Sequence, residues 1–575
     1  MNNDYLKRLN GLLSDRSELG PNAWCQGARA VSDWLQQLPL GNPENHAHRL
    51  LDGLKEMNDT RIDASRRLAG LEIFRVALGN SIAALARQIR DETFPLPPSR
   101  MHIGATIQQF EREIVSGYLH VVCELAGTDG KVSFLRRGSV ALALTRAIQH
   151  QSARLRVAYQ THSAAQVGVW QGLHDMFRFA LGAGCDGKAQ ADPLLRGAKI
   201  DARGAYTQAI LHAFAQPYHF IPAHNIELHA ALPVLASLCE IRQGETGEGA
   251  IAFCTEGDHA PPSPPRGREI SSDALWQLDV SALLRALQAH DARAATVRVE
   301  SRAGAVELHT DLAQRLVTSW SGRVEREFPR SLENREFDTL VGLQSVHAAL
   351  CGMSFEAFGQ CARPFNDDGR SAIWAGTEGD TAQTSRARLL DRGLGGWRLR
   401  WNAGQDLRAR VGEVIALSAV EEADQLDWIV GVVRWLRVDA LGAVEAGVEM
   451  IGRDANPVSV ASVDAKGVVR MPMRGLLVLP PQTDDAGKIE PYIAVPHLFD
   501  RDAMAVELLQ FDGTPNQDNA RLQTISDMRI RANGDLYLRI VLPLSAACGD
   551  DSAANDDASA KFVPFPRRSP QSTAP

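Results

Sequence analysis

The sequence predicts an α+β multidomain chain, with a helical N-terminal half followed by an antiparallel β-barrel and further β-strands. Three observations carry this reading. Apolar residues recur at threes and fours through the first 250 residues, which is the helical period. A Pro- and Gly-rich stretch follows. From about residue 370 the period falls to two, in short runs separated by turn residues, as in a small barrel or sandwich.

In the first half, Leu68–Gly79, Ile107–Leu119 and the long run Val140–Ala180 each carry one apolar stripe that must be buried against a neighbour. Pro95-Leu-Pro-Pro-Ser99 interrupts the pattern as a loop. Glu256-Gly-Asp-His-Ala-Pro-Pro-Ser-Pro-Pro-Arg-Gly-Arg268 is a linker that cannot build a core. Beyond it, Ser272–Ala289 and Leu312–Phe328 read as helices, Val297–Leu308 as a hairpin, and Phe337–Leu350 as one more helix. Strands follow at Gly396–Trp401, Gly412–Leu417, Asp427–Val438 and Val444–Ile451. Further strands are Gly475–Leu479, Met504–Phe511, and Ser526–Arg531 paired with Leu536–Leu542 across Asn533-Gly534. The predicted division is 1–255 helical, 256–270 linker, 271–355 mixed, 356–470 barrel, 471–546 a β extension and 547–575 a disordered tail rich in Asp, Ala, Ser and Pro. The extension either completes the barrel or forms a second small β unit.

A chain of 575 residues has room for about three or four domains. Hydrophobic residues at 45% and charged residues at 23% exclude collagen, rods and wholesale disorder. With 61 Lys and Arg against 69 Asp and Glu, the net charge of -8 argues against a nucleic-acid polymer as partner. A local basic site for a small anion stays open. The N-terminus lacks a signal-peptide core, and apolar stretches such as Ala230–Cys239 are about half as long as a bilayer span. The eight scattered cysteines contain no CxxC and read as reduced thiols. A cytoplasmic protein without membrane insertion is expected.

Two constellations were weighed for chemistry. Gly182-Ala-Gly-Cys-Asp-Gly-Lys188-Ala189 approaches a phosphate-binding loop but has Ala189 where the hydroxyl for Mg²⁺ belongs, and it follows a helix rather than a strand. Its glycines read as a helix stop. His212, His219, His224 and His229 are numerous enough for Zn²⁺, yet their spacing shares no helical face and Pro217 and Pro222 intervene. No GxSxG or HExxH occurs. A barrel preceded by helices fits a receptor better than an enzyme, with no metal and no cofactor.

The informative motif is Leu389-Leu-Asp391-Arg392-Gly393-Leu-Gly-Gly396-Trp-Arg-Leu-Arg-Trp401, an Asp-x-Gly-x-x-Gly turn between two strands. It resembles the [D/N]xSxxG signature of PilZ domains, the bacterial barrels that bind cyclic di-GMP. Val411–Leu417, Ile429–Trp435 and Ala446–Ile451 are similar to that family's next strands. Phe110–Leu119, Gln208–Tyr218 and Leu340–His347 resemble a larger family in which a helical half precedes the PilZ domain. The resemblance implies a cyclic-di-GMP receptor linked to type IV pili, twitching and surface attachment, with a protein partner in that machinery.

Such a ligand offers two phosphates and two guanines. Arginine pairs with phosphate and guanine, a carboxylate accepts from guanine N–H, and glycine admits close backbone approach. The site implied by the resemblance is Asp391, Arg392, Gly393 and Gly396, joined by Arg386 and Arg388, which share a face of an alternating strand. This chain departs from the family at Gly393, which replaces its serine. The family's RxxxR, a short way ahead of the Asp turn, has no clean copy there. Arg363 and Arg370 are candidates with the wrong spacing, and Arg388-Leu-Leu-Asp-Arg392 has the form but overlaps the turn. Trp397, Trp401, Trp428 and Trp435 read mainly as barrel filling, with one at most facing a ligand. The alternative is a PilZ-like scaffold that binds no nucleotide and acts through its helical half.

Overall fold

The computed structural model describes residues 2–18, 20, 23–39, 41, 43–90, 93–195, 198–244, 250–261, 272–289, 294–321, 330–360, 384–393, 395–405, 407–419, 428–452, 455–479, 490–511, 519–532 and 535–543. Two compact units emerge, Met1–Glu327 with Arg437–Gly442, and Phe328–Leu436 with Ala443–Pro575. The tail from 547 and Asn533-Gly534 lie outside the described residues.

The first unit begins with α1 (Asn2–Asn10), α2 (Ala28–Gln36), α3 (Pro43–Asn58), α4 (Ala64–Gln88) and α5 (Pro98–Leu125). It continues through α6 (Arg137–Gln160), α7 (Val169–Gly182), α8 (Ala202–Phe214) and α9 (Pro222–Ala236). In α4, Leu68, Leu71, Phe74, Leu78, Ile82 and Leu85 recur at threes and fours and are all buried. Asp63 starts the helix by accepting from the backbone N–H groups of Ser65 and Arg66. By length and composition α4 could cross a membrane, but this stripe is part of the core. Charges are buried in pairs: Arg75 and Arg146 both bind the Asp192 carboxylate.

The run from Val140 to Ala180 is broken where the sequence predicts continuity. His162 and Gly168 take left-handed backbone conformations, with φ of 50° and 84°, and α7 starts after them. Its N-terminus is capped from far along the chain. The Asp258 carboxylate accepts from the N–H groups of Gly168, Trp170 and Gln171 at 2.5, 3.0 and 3.1 Å. The stretch expected as a free linker therefore begins with an anchored residue.

Small ladders complete this unit: β1 (Gln190–Ala191) with β2 (Lys199–Ile200), and β3 (Glu240–Gln243), β4 (Ala250–Cys254) and β5 (Leu275–Asp279) in the order β3-β5-β4. Leu275–Asp279 corrects the helix expected over Ser272–Ala289, of which α10 (Ser281–Gln288) remains. The hairpin β6 (Thr296–Ser301) and β7 (Gly304–His309) leads to α11 (Thr310–Trp320), as the alternation indicates.

The second unit opens with β8 (Ser331–Val341), then α12 (Leu343–Cys351) and α13 (Phe355–Gln360). Next come β9 (Ser385–Gly393), β10 (Gly396–Trp401), β11 (Val414–Ala419), β12 (Ile429–Val438) and β13 (Val444–Gly452). These strands close a barrel in the order β10-β13-β12-β11-β8-β9. The helix expected at Phe337–Leu350 is corrected in its first part, which is strand β8. Most of Ser331–Glu336 is exposed on both faces, so the strand shows no alternation until Phe337.

The remaining strands are β14 (Ala455–Val463), β15 (Met473–Val478), β16 (Tyr492–Pro496), β17 (Ala505–Phe511), β18 (Ala520–Ile525), β19 (Arg529–Ala532) and β20 (Tyr537–Val541). They form a second sheet, in the order β18-β17-β14-β15-β16-β20-β19. Its edges are consecutive in sequence, with β18 ending at Ile525 and β19 beginning at Arg529. Four Cα steps reach at most about 14 Å. A flat sheet would hold these edges about 29 Å apart, six strand spacings. The sheet is therefore rolled into an open barrel around Val460, Leu477, Ile493, Leu508, Leu538 and Ile540. Its outer face, through Leu476, Val478, Tyr492 and Ala494, packs on Val414, Ala416, Val430 and Val432 of the closed barrel.

One buried ionic group ties the two β elements together. Arg434 of β12 donates to Asp535 at 2.5 Å and also pairs with Glu449, and Arg539 donates to the other Asp535 oxygen at 3.1 Å. Burial disfavours the charged guanidinium of Arg434, but Asp535 and Glu449 outweigh it and hold its pKa above the ordinary value. Asp535→Asn leaves two arginines facing a neutral group. A loss of about 3 kcal/mol of stability is expected, read by urea denaturation followed through tryptophan fluorescence, with the exposed Asp527→Asn unchanged.

Candidate functional site

The site is built by the β9–β10 hairpin. Opposed residues on neighbouring strands share a face. Leu389 stands opposite Leu399, and both are fully buried inside the barrel. The next pair is Asp391 with Arg398, so Leu390 has no opposite number and forms a bulge. The bulge carries Asp391 to the outer face, with Arg398 and Arg400. Arg392, opposite Trp397, falls at the mouth of the barrel with its guanidinium carbon 5.4 Å from the Trp397 ring centre. At Gly396 a Cβ would fall on the Val448 carbonyl oxygen, so the close approach of β10 to β13 requires glycine there.

On the outer face, charges alternate across three strands. Arg330 donates to Asp391 at 2.5 Å. Asp391 lies 3.7 Å from Arg398, and Arg398 and Arg400 each bind Glu445 of β13 at 2.7 Å. Burial works against the charged Glu445, yet the hydrogen bonds from Arg398 and Arg400 prevail and hold its carboxyl below its usual range. Arg388 stands opposite Arg400 on the same face. Arg386 shares that face, as predicted, and is paired with Glu336 at 3.7 Å and Asp338 at 3.4 Å.

The tryptophans divide. Trp397 and Trp401 fill the barrel, and Trp401 Nε1 donates to Thr339 Oγ1 at 3.0 Å. Trp428 packs between the closed barrel and the rolled sheet. Trp435 is half-buried, and its indole occupies the space that a Cβ at Gly447 would need. Gly447 is opposite Arg398, so this indole lies on the outer face beside the arginines.

The other sequence candidates stay apart. Arg363 and Arg370 lie outside the described residues. The glycine-rich stretch at 182 ends α7, with Gly184 left-handed. His212 is buried with its ring 4.9 Å from Tyr159, and burial pushes its pKa down to about 3. His224 pairs with Asp311 at 3.1 Å and His229 with Arg156 at 3.2 Å. Among the described residues no group of three or more His, Cys, Asp or Glu could hold a metal.

Comparison with known proteins decides the family. The model of the N-terminal domain of the cyclic-di-GMP receptor FimW matches residues 29–246, and that of its middle PilZ domain matches 251–371 and 363–457. The chain belongs to this receptor family. The cyclic-di-GMP receptor FimW of Pseudomonas aeruginosa (strain PAO1) is 22% identical over 489 residues, covering 74% of this chain and 77% of the relative. No solved structure matches.

Arg330 was not among the sequence candidates. It ends the sequence Arg326-Glu-Phe-Pro-Arg330, an RxxxR directly ahead of β8, and Arg326 lies outside the described residues. The sequence search missed it because α12, α13 and residues 361–383 stand between β8 and β9. Arg330 is therefore 61 positions from the carboxylate it binds. Gly396→Ala is expected to cost about 1–3 kcal/mol by forcing β10 from β13, measured as a lower thermal midpoint, with Gly187→Ala at an exposed, open turn position as control.

Proposed function

We propose that this chain is a cyclic-di-GMP receptor whose ligand binds the outer face of the closed barrel. The observation that carries this reading is the meeting of Arg330, Asp391 and Arg398 at the bulged end of β9, on the face that also holds Trp435. Arg330, Arg388 and Arg398 have the chemistry for phosphate and for the guanine O6/N7 edge. Asp391 can accept from guanine N–H groups. Gly393 leaves one turn position without a side chain where a base would approach, Gly396 serves the contact of β10 with β13, and Arg392 closes the barrel mouth next to them. Arg386, engaged by two carboxylates, contributes less. Arg363 and Arg370, in the stretch of sequence between β8 and β9, are further candidates by residue type alone.

The protein works as a binding switch without catalysis. It responds through the difference in nucleotide affinity between two states of the chain. In this reading it acts in the cytoplasm, and the helical half passes the signal to a protein of the type IV pilus or attachment machinery, coupling second-messenger level to twitching and biofilm formation. Membership in the cyclic-di-GMP receptor family supports the receptor part of this reading.

Calorimetric titration of the full chain with cyclic di-GMP, with GTP as control, tests the reading. Micromolar or tighter binding that GTP does not share is expected. Arg330→Ala and Asp391→Ala should each weaken it about 10–100-fold, the worth of a charge-assisted hydrogen bond. Arg386→Ala should change it less than threefold, within the ~0–1 kcal/mol of an exposed ion pair. Absence of binding by the folded wild-type chain would transfer the function to the helical half as a scaffold.

A further inference from the structure

Glu445 binds two arginines with one carboxylate. Its Oε2 accepts from Arg398 Nη2 and its Oε1 from Arg400 Nη1, both at 2.7 Å. Two oxygens of one anion, each taken by a separate guanidinium, is also the arrangement in which a phosphodiester is held. The Arg400–Glu445 pair is an ordinary cross-strand contact, because the two residues are directly opposite. Arg398 is not opposite Glu445. It stands opposite Gly447 and reaches diagonally to share the carboxylate, leaving its buried Nε without a hydrogen-bond partner. The indole of Trp435 lies over Gly447 on the same face. A phosphate in place of the Glu445 carboxylate would thus stand beside an aromatic surface suited to a base.

The charge balance points the same way. Arg330, Arg388, Arg398 and Arg400 are four guanidiniums on one face, where Glu336 stands opposite Arg388 and two anions, Asp391 and Glu445, contact Arg398. Asp391 is nearly buried and already engaged by Arg330, whereas the Glu445 side chain is 23% exposed and can swing to solvent about its side-chain torsions. Of the two anions, Glu445 is the one a ligand can displace without opening the hairpin.

We propose that Glu445 is an internal competitor: in the free protein its carboxylate occupies Arg398 and Arg400, and a phosphate of the incoming nucleotide takes both guanidiniums from it. This deepens the cyclic-di-GMP reading and rests on it. Glu445 then raises the ligand concentration needed to load the site, and Arg398 and Arg400 are binding residues beyond the turn motif.

The test is a calorimetric double-mutant cycle on the full chain with cyclic di-GMP, with thermal unfolding of each variant without nucleotide. Glu445→Gln should tighten binding about fivefold, the worth of an exposed ion pair removed from the free state. Glu445→Ala should do the same, guarding against a new amide hydrogen bond. Arg398→Ala with Arg400→Ala should weaken binding at least tenfold, and on that background Glu445→Gln should have no further effect. Unchanged or weaker binding by both Glu445 variants of a wild-type chain that does bind would overturn the competitor while leaving the receptor intact. So would a gain that persists without the two arginines, since that is a general field effect. A folded wild-type chain that binds no cyclic di-GMP removes the receptor reading and the competitor together.

Discussion

Leu390 has no partner on β10, and the placement of the charged groups at the site follows from that. On a regular strand Asp391 would follow Ala387 and Leu389 inward, into an interior filled by Trp397, Leu399 and Trp401. A carboxylate there would have no compensating charge, at a cost of several kcal/mol or a neutralising proton. The bulge turns Asp391 outward to Arg330 and Arg398 and sends Arg392 to the rim above Trp397. The residues of the Asp-x-Gly-x-x-Gly turn, the proposed recognition motif, are therefore also the means of closing the barrel. Gly396 lets β10 reach β13, and that contact brings Glu445 within range of the arginines.

The outer wall of the barrel has two sides, and folding separates them. One is apolar, with Leu340, Val414, Ala416, Val430 and Val432 covered by α12 and the rolled sheet. Arg434 lies at its border, neutralised by Asp535 and Glu449. The other side, made by β9, β10 and part of β13, is charged. The C-terminal sheet thus has a clear structural role, since it buries the face that would otherwise expose five aliphatic residues. No matched range of the family models extends past residue 457, so all of this covering sheet but the first residues of β14 lies beyond them.

What could be read in the sequence was what depends on local period. β10 alternates, β12 and β13 are short apolar runs bounded by turn residues, the helices carry stripes, and the turn motif is contiguous. β8 escaped because Ser331–Glu336 alternates nothing, while Phe337, Leu340 and Val341 merge with the apolar spacing of α12 that follows. The strand Leu275–Asp279 ran into a short helix in the same way. Arg330 was hidden by chain distance, its partner lying beyond an insertion. Trp435 could not be told from the other three tryptophans, because its exposure to the outer face depends on register with a glycine on the next strand. The cap on α7 by Asp258 is likewise a contact between residues 90 positions apart. Each of these is a tertiary fact, for which one-dimensional pattern carries no signal.

A net charge of -8 and a basic ligand face are compatible because electrostatics here is local. At physiological salt a charge is screened beyond about 8 Å. A small anion seated between Arg398 and Arg400 is therefore governed by groups linked through shared carboxylates at 2.7 Å, and the rest of the acidic chain matters little. A polyanion would extend past that array. Along β9 it would meet Glu336 and Asp338 around Arg386, and across β13 it would meet Glu449 beside Arg434. In the proposed reading, the acidic margin and the small basic patch suit a compact nucleotide bearing two phosphates better than a nucleic-acid strand, which needs a continuous positive track.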